Sequence, residues 1–377
     1  MNDMRNRWSV LGCVIFVAIQ ANQAVAGESD VGKTRLSGVI MLDYALVEGV
    51  NRDSETNSRE FNSEVRKARI DIKHQLNESW SAKLQLGFNE EDSSSEVGDA
   101  YIRYRGLNQA VLTMGQFKEP FGLENLTSSK NITFLERSMA TRALSSGKNQ
   151  GVMLSGSPSD FTWAFSLMEI ENENKEAAPY AVDGRFTWAP INDTKQVLHL
   201  GVSTSLRKLD GEIFEIDERI ELHSSEKIIE SGEIEVDQMQ LNALELAMVK
   251  DAFSFQAEYL SADIEATESS NDVMFDGYYL QASFFLSQDT RRYKKGVFTG
   301  VKPASHDGAW ELTARYSELN TQDVAQGNKV NTTTVGLNYY YDQNVRLMTN
   351  FLHTQSSEEI NGSDTGNALA FRAQYIF

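Results

Sequence analysis

The sequence predicts an all-β fold, a transmembrane antiparallel β-barrel of about sixteen strands. Three observations predict it. Apolar and polar residues alternate with period two through most of the chain, the signature of strands with one oily and one wet face. The connections alternate between short and long, as the turns and loops at the two ends of such barrels do. And with a mean hydropathy of −0.40, no apolar run outside the N-terminus approaches the ~20 residues of a spanning helix. A membrane protein is this polar only when each strand shows lipid one of its faces.

The N-terminus reads as an export signal. Arg5 and Arg7 supply a positive segment, Leu11 to Ile19 an apolar one, and Ala24-Val25-Ala26 a small-x-small cleavage site. Residues 1–26 are therefore expected to be removed, leaving 27–377 as a single outer-membrane barrel domain that starts near Gly27. Val10-Leu11-Gly12-Cys13 loosely resembles a lipoprotein box, but the apolar run before Cys13 is too short for one. Cys13 is the chain's single cysteine, so if it leaves with the signal the mature protein is expected to have no disulfide or thiolate site.

The strands follow in order. Trp80, Ala82, Leu84, Leu86 and Phe88 oppose Ser81, Lys83, Gln85 and Gly87; Trp310, Leu312, Ala314 and Tyr316 oppose Glu311, Thr313, Arg315 and Ser317. Similar segments lie near 34–47, 61–76, 80–88, 97–105, 110–117, 150–156, 161–169, 180–188, 197–207, 236–249, 253–262, 276–286, 308–318, 329–341, 345–355 and 367–377. Short turns are expected at Asn77-Glu78, Gly106–Gln109, Pro158–Asp160, Lys250-Asp251 and Asp342–Asn344. Gln288–Asp307 falls where a short turn is due, yet it is long and basic, and suggests a cover for the periplasmic mouth. The last strand ends with Tyr375 and the terminal Phe377 on its oily face, which resembles the assembly signal of outer-membrane barrels.

The formal net charge is −19, but its distribution matters more than its sum. Acids crowd the expected loops, among them Glu90, Glu91, Asp92 and Glu96, then Glu169, Glu171, Glu173 and Glu176, then Glu212 through Asp237, and these are expected to lie far from a pore centre. Such loops suit divalent cations that bridge to lipopolysaccharide. The 207–236 segment keeps a period near two and is expected as a long protruding hairpin. The wet face of the strands carries Lys67, Arg69, Lys73, Lys83, Arg103, Arg105, Arg185, Arg315, Arg346 and Arg372, with fewer acids such as Asp71, Asp183, Glu258 and Glu311. A low-dielectric wall with excess cations concentrates anions and passes them more readily.

Enzyme signatures are absent. The five histidines are scattered without a His-x-x-x-His pair, and there is no Gly-x-Ser-x-Gly elbow or phosphate-cradling Gly-rich loop. No cofactor, metal or nucleic-acid partner is expected.

At Met114–Arg137 the chain reads MGQFKEPFGLENLTSSKNITFLER, at Gly277–Phe298 GYYLQASFFLSQDTRRYKKGVF, at Val301–Pro303 VKP, at Gly308–Ser317 GAWELTARYS and at Asn344–His353 NVRLMTNFLH. In these motifs it resembles the phosphate-selective porin O/P family. The resemblance implies a sixteen-stranded homotrimer in the bacterial outer membrane, folded by the barrel-assembly machinery. It also implies an inward-folded third extracellular loop that forms the constriction, and passive diffusion of small anions such as phosphate or polyphosphate. That loop corresponds to Lys118–Gly147, and with it Lys118, Asn125, Lys130, Arg142 and Lys148 are the expected constriction and anion path. Glu124 and Arg137 are expected to brace the loop. Asn125 follows Gly-Leu-Glu where the strongly phosphate-specific members carry a lysine, so phosphate is expected to inhibit only weakly. The competing reading is a surface adhesion barrel with a plugged pore and acidic loops that engage a partner.

Overall fold

The computed structural model describes residues 31–49, 59–88, 95–171, 178–267, 272–360 and 363–377. The expected leader with Cys13, the cleavage site, and Glu90, Glu91, Asp92, Glu173 and Glu176 lie outside the described residues. Among the described residues the strands are β1 (Thr34–Gly49), β2 (Arg59–Gln75), β3 (Trp80–Phe88), β4 (Ser95–Leu107), β5 (Ala110–Lys118), β6 (Lys148–Gly156), β7 (Phe161–Glu169), β8 (Tyr180–Asn192) and β9 (Gln196–Arg219). They continue as β10 (Lys227–Lys250), β11 (Phe253–Ala266), β12 (Val273–Phe285), β13 (Arg292–Lys294), β14 (Val297–Thr299), β15 (Ala309–Asn320), β16 (Lys329–Tyr340), β17 (Val345–Ile360) and β18 (Ser363–Ile376).

All but β13 and β14 close into one antiparallel barrel of sixteen strands, in which β1 bonds to both β2 and β18. The period-two pattern becomes two surfaces. On β15, Trp310 and Leu312 are exposed on the outside while Glu311, Thr313 and Arg315 are buried inside. The outer surface carries Leu42, Phe165, Phe186, Val202, Leu280, Phe351 and Phe371, an apolar band that matches lipid rather than water. Both ends of the barrel sequence and the turns after β2, β4, β6, β8, β10 and β16 fall at one rim, joined there by the long Gln288–Asp307 connection, while the β5–β6 loop and the β9–β10 tip belong to the other.

The seam is closed by the last residue. Gly38 N donates to the Phe377 carbonyl at 2.9 Å and Phe377 N to the Gly38 carbonyl at 3.2 Å. The Phe377 ring occupies the space a Cβ on Gly38 would need, with a ring carbon 2.3 Å from that position. Any larger residue at 38 displaces the terminal ring.

Three segments enter the barrel. The loop between β5 and β6 carries two short helices, α1 (Leu123–Leu126) and α2 (Met139–Ala143). The tip joining β9 to β10 is the second, and the connection holding β13 and β14 is the third. The expected protruding hairpin is a hairpin, paired out to Arg219 and Lys227, but its tip turns inward. Ile216, Ile220, Leu222, Ile228 and Ile229 are buried in one cluster with Leu135, Met139 and Leu144 of the first loop and Leu260 and Phe275 of the wall. Burying each such aliphatic side chain contributes about 1.5–3 kcal/mol, which outweighs what the tip gains by standing in solvent. Consequently Glu218 and Glu221 do not lie far from the pore: Glu221 is buried on Arg315, Ser317 and Thr334.

The Gln288–Asp307 connection likewise folds inward at the short-turn end. Phe298 packs with Leu123, Val197, Ala247 and Val249, Arg291 lies 3.8 Å from the Phe298 ring centroid, and Tyr293 bonds to His199 at 2.6 Å. It supports α1 from below.

Candidate pore constriction

The β5–β6 loop is held by charged groups on every side. Glu119 takes Arg207 at 2.9 Å and Asn149 at 2.6 Å. Gly122, at φ 70, turns the chain so that Leu123 N and Glu124 N donate to Glu258 of β11 at 2.6 and 2.8 Å. A carboxylate at a helix start satisfies amides that have no partner within the helix. Arg137 donates to the carbonyls of Glu124, Asn125 and Thr127 at 3.1, 3.4 and 2.8 Å, and Glu124 accepts from Ser138 N at 2.9 Å and from Arg315 at 3.3 Å. Both residues brace the loop.

Glu136 is gripped by Arg66 at 2.7 and 3.0 Å and by Arg372 at 2.7 Å. Burial works against its charge, yet Arg66 and Arg372 hold its carboxyl well below the ordinary glutamate value. Arg372 also takes Asp43 at 2.7 and 2.6 Å and bonds the Leu135 carbonyl. Arg346 donates to the carbonyls of Ile132 and Thr133 at 2.7 and 2.8 Å. Arg315 binds Glu221, Glu124 and the Glu136 carbonyl. These three arginines, read from the sequence as part of the cationic pore wall, point inward but are buried struts between wall and loop. Arg185 is mostly used in the same way, on Glu245 at 2.8 and 2.6 Å and on the Gly296 carbonyl at 2.8 Å.

With one side of the lumen filled, open space remains along β2 to β6. A cavity of about 480 Å³ lies between this wall and the loop, bordered by Lys67, Arg69, Lys83, Lys118, Asn125 and Lys148. Above it, a second cavity meets Glu96, Lys118, Asn125, Arg142, Lys148 and Glu218. Below it, a third meets Asp99, Tyr101, Arg103, Arg105, Lys118 and Lys295, and the short-turn mouth is bordered by Lys33, Arg35, Lys73, Lys83, Arg103 and Arg105. Lys118 borders the upper, middle and lower cavities.

Lys118 donates to both the carbonyl and the side-chain oxygen of Asn125, each at 2.9 Å. Asn125 is buried, its amide nitrogen donating to the Phe121 and Ser146 carbonyls at 3.2 and 3.0 Å. It is a bracket for Lys118 more than an open wall residue. Lys148 pairs across from Lys118 in the β5–β6 register and sits 2.9 Å from Asp99 and 2.6 Å from Gln85. Arg142 is 2.8 Å from Glu218. Lys130 anchors Gln374 through its carbonyl at 3.2 Å. Burial pushes its ammonium down; Asp71 resists, and Arg69, Lys73 and Lys83 add to the depression, which places it among the wall cations.

Alternation alone misses some of the site. Arg66 and Lys67 both serve the interior because the register shifts between Met41 and Asp43 opposite them. Asp99, at 2.5 Å from Lys83, is an acid set into the cationic wall beside Asp71, which lies 3.1 Å from the same lysine; a second register shift, between Leu84 and Leu86, lies beside it.

A closed sixteen-stranded barrel with an apolar outer band and a loop narrowing its lumen defines an outer-membrane porin, a diffusion channel of the bacterial outer membrane. The chain belongs to the phosphate-selective porin O and P family, which it matches over residues 35–377. It is 25% identical to Porin O of Pseudomonas aeruginosa over 97% of this chain and 93% of that one. It is also 25% identical to an uncharacterized protein of Caulobacter vibrioides over 70% of this chain and 56% of that one. Among solved structures, the fold is similar to an anion-selective porin from Comamonas acidovorans, with a TM-score of 0.62 at 10% identity over 92% of this chain and 100% of that one. It is similar as well to the outer membrane channel DcaP of Acinetobacter baumannii, with a TM-score of 0.60 at 12% identity over 94% of this chain and 100% of that one.

Proposed function

We propose that this porin passes small anions in preference to cations, acting as a channel and not as an enzyme, with Lys118 at the centre of the path. The observation that carries the reading is that Lys118 borders the three stacked cavities. Lys67, Arg69, Lys73, Lys83, Lys130 and Lys148 extend the cationic wall around it, while Asp71, Asp99 and Glu96 offset only part of their charge. The phosphate selectivity for which the family is named and the anion selectivity of the Comamonas porin point the same way. Phosphate is the natural candidate solute, since lysine offers it a point charge and arginine a planar fork. The test is reversal potential in a planar bilayer under a potassium chloride gradient. Anion preference is expected despite the sequence pI of 4.8; cation preference would show that the loop acids dominate the path. Absence of conductance would favour the adhesion barrel with a plugged pore.

The protein works as a homotrimer held in lipopolysaccharide, in this reading. The outer face of β3 and β4 carries exposed Leu84, Phe88, Val97 and Ile102 beside the Trp80–Tyr104 pair, an apolar surface that a neighbouring barrel can cover. The barrel-assembly machinery receives β18 through Tyr375 and Phe377. Deleting Phe377 is expected to cut outer-membrane yield of heat-modifiable trimer several-fold, because the seam loses two hydrogen bonds and the ring over Gly38. Wild-type yield from the deletion would remove Phe377 from that role.

A further inference from the structure

The cavity below Lys118 differs from the other two in chemistry. It has a volume of about 740 Å³, enough for an organic molecule rather than a hydrated ion alone. Its inner wall is apolar on several sides: Tyr101 and Met153 from adjacent parts of the barrel, Leu126 from α1, and Val297 from β14. Tyr101 and Met153 pack on the buried cluster of Phe117, Met168 and Ala181, so this is the open edge of a small hydrophobic core. A path built only for inorganic phosphate gains nothing from such a surface.

The same chamber is ringed mainly by cations, and the Asp99 carboxylate on its lining is already paired with Lys83 and Lys148. Lys118 stands at its top, and Arg103, Arg105 and Lys295 border it lower down. Among the described residues no carboxylate forms an ion pair with Arg103, Arg105 or Lys295; Arg103 donates to Thr113 at 3.2 Å and lies 4.8 Å from the Tyr101 ring centroid, and Arg105 donates to Ser81 at 2.8 Å. Ser155 and Thr162 add hydroxyls to the lining. Neighbouring guanidinium groups, an aromatic face and thioether and aliphatic surface together suit a ligand with an anionic head and an apolar body.

We propose that this chamber is a binding subsite for organic oxyanions, phosphonates or phosphate monoesters that carry an aromatic or bulky alkyl group, taken up through the same pore. The inference rests on the anion-channel reading and extends it by naming a solute class. The head is held by Lys118, Arg103 and Arg105, and the body lies against Tyr101, Met153, Leu126 and Val297. The hairpin β13–β14 closes one side of the chamber, so the solute leaves towards the periplasm past Lys295.

The test compares phenylphosphonate with methylphosphonate, which share a head group and charge, as blockers of single-channel chloride current through the full-length porin. Phenylphosphonate is expected to block about tenfold more tightly, the factor that ~1.4 kcal/mol of apolar burial supplies. In the double variant Met153→Gln and Val297→Thr, both shape-conserving, the gap is expected to shrink several-fold, with methylphosphonate block in the same variant as the internal reference. Equal block by the two phosphonates, or no block by either, overturns the subsite. So does a gap that survives the double variant in a channel of parental conductance. Anion preference is read separately from the reversal potential, so failure of the channel reading is distinguishable from failure of the subsite.

Discussion

Arg372→Ala is expected to raise conductance and open-channel noise and to lower the temperature at which the barrel unfolds. Arg372 is the bond between the seam and the constriction loop: it takes Asp43 on β1, Glu136 on the loop and the Leu135 carbonyl. The Arg372 and Asp43 side chains are each 2% exposed, so solvent does little to screen them. Removing one partner of such a network typically costs about 3–5 kcal/mol, because a charge is left buried and unpaired. Arg66 remains on Glu136, so the carboxylate left most exposed to this penalty is Asp43. The cheapest relief is for the loop to swing off the wall and admit water, which widens the pore. Arg372→Lys keeps the charge but not the two-pronged geometry, and is expected to fall between. Unit conductance and heat-modifiability on gels read both effects; unchanged conductance in Arg372→Ala would show that Arg346, Arg315 and the buried cluster hold the loop without it. Because Glu136 is held well below its ordinary value, the stability it contributes is present above the unfolded-chain value and is lost only as pH falls through the lower folded value. The grip therefore persists into mild acid.

What the sequence showed and what it hid divide along a physical line. Alternation is a local property, so β3 is found at Trp80–Phe88 and β7 at Phe161–Glu169, as read from the pattern. The extension of β9 and β10 towards their tip also keeps period two, but its pairing shifts register at Lys227/Ile229, Glu230/Gly232 and Val236/Gln238, which blurs the faces. The pattern also says which residues turn inward without saying what waits there. Arg315 meets Glu221, Arg346 meets Ile132 and Arg372 meets Glu136 across sequence separations of 94, 214 and 236 residues. No periodicity encodes such partners. A wall arginine that braces a loop and one that faces an ion look the same in sequence, and only the position of the three inward segments separates them. The acids of the β9–β10 tip escape the pattern for the same reason, since a charged hairpin in solvent and one tucked over a buried aliphatic cluster share their composition.

The second large effect concerns Lys118 and the residue that holds it. Lys118→Gln is expected to reduce anion preference and weaken phosphate inhibition of chloride current by about fivefold to tenfold. A unit charge about 4 Å from an anion contributes roughly 4 kcal/mol at an effective dielectric near 20. Desolvation of the ammonium and the phosphate offsets most of it, leaving about 1 kcal/mol, and every ~1.4 kcal/mol is tenfold in affinity. The sequence alone argues that Asn125→Lys would strengthen phosphate binding by adding a charge. The geometry argues the opposite. Asn125 presents its side-chain oxygen to the Lys118 ammonium and its amide nitrogen to the Phe121 and Ser146 carbonyls. A lysine there removes that side-chain acceptor, puts two ammonium groups side by side and releases the bracket that ties Lys118 to the loop. Weaker phosphate block and noisier current are therefore expected from Asn125→Lys, while Asn125→Asp keeps the acceptor but neutralises Lys118 and is expected to resemble Lys118→Gln. Phosphate titration into single-channel chloride recordings of the parent and the three variants decides between the two arguments. Stronger block in Asn125→Lys would mean that the new ammonium clears the loop and reaches the lumen, and unchanged block in Lys118→Gln would move the centre of the anion path to Lys67, Arg69 and Lys130.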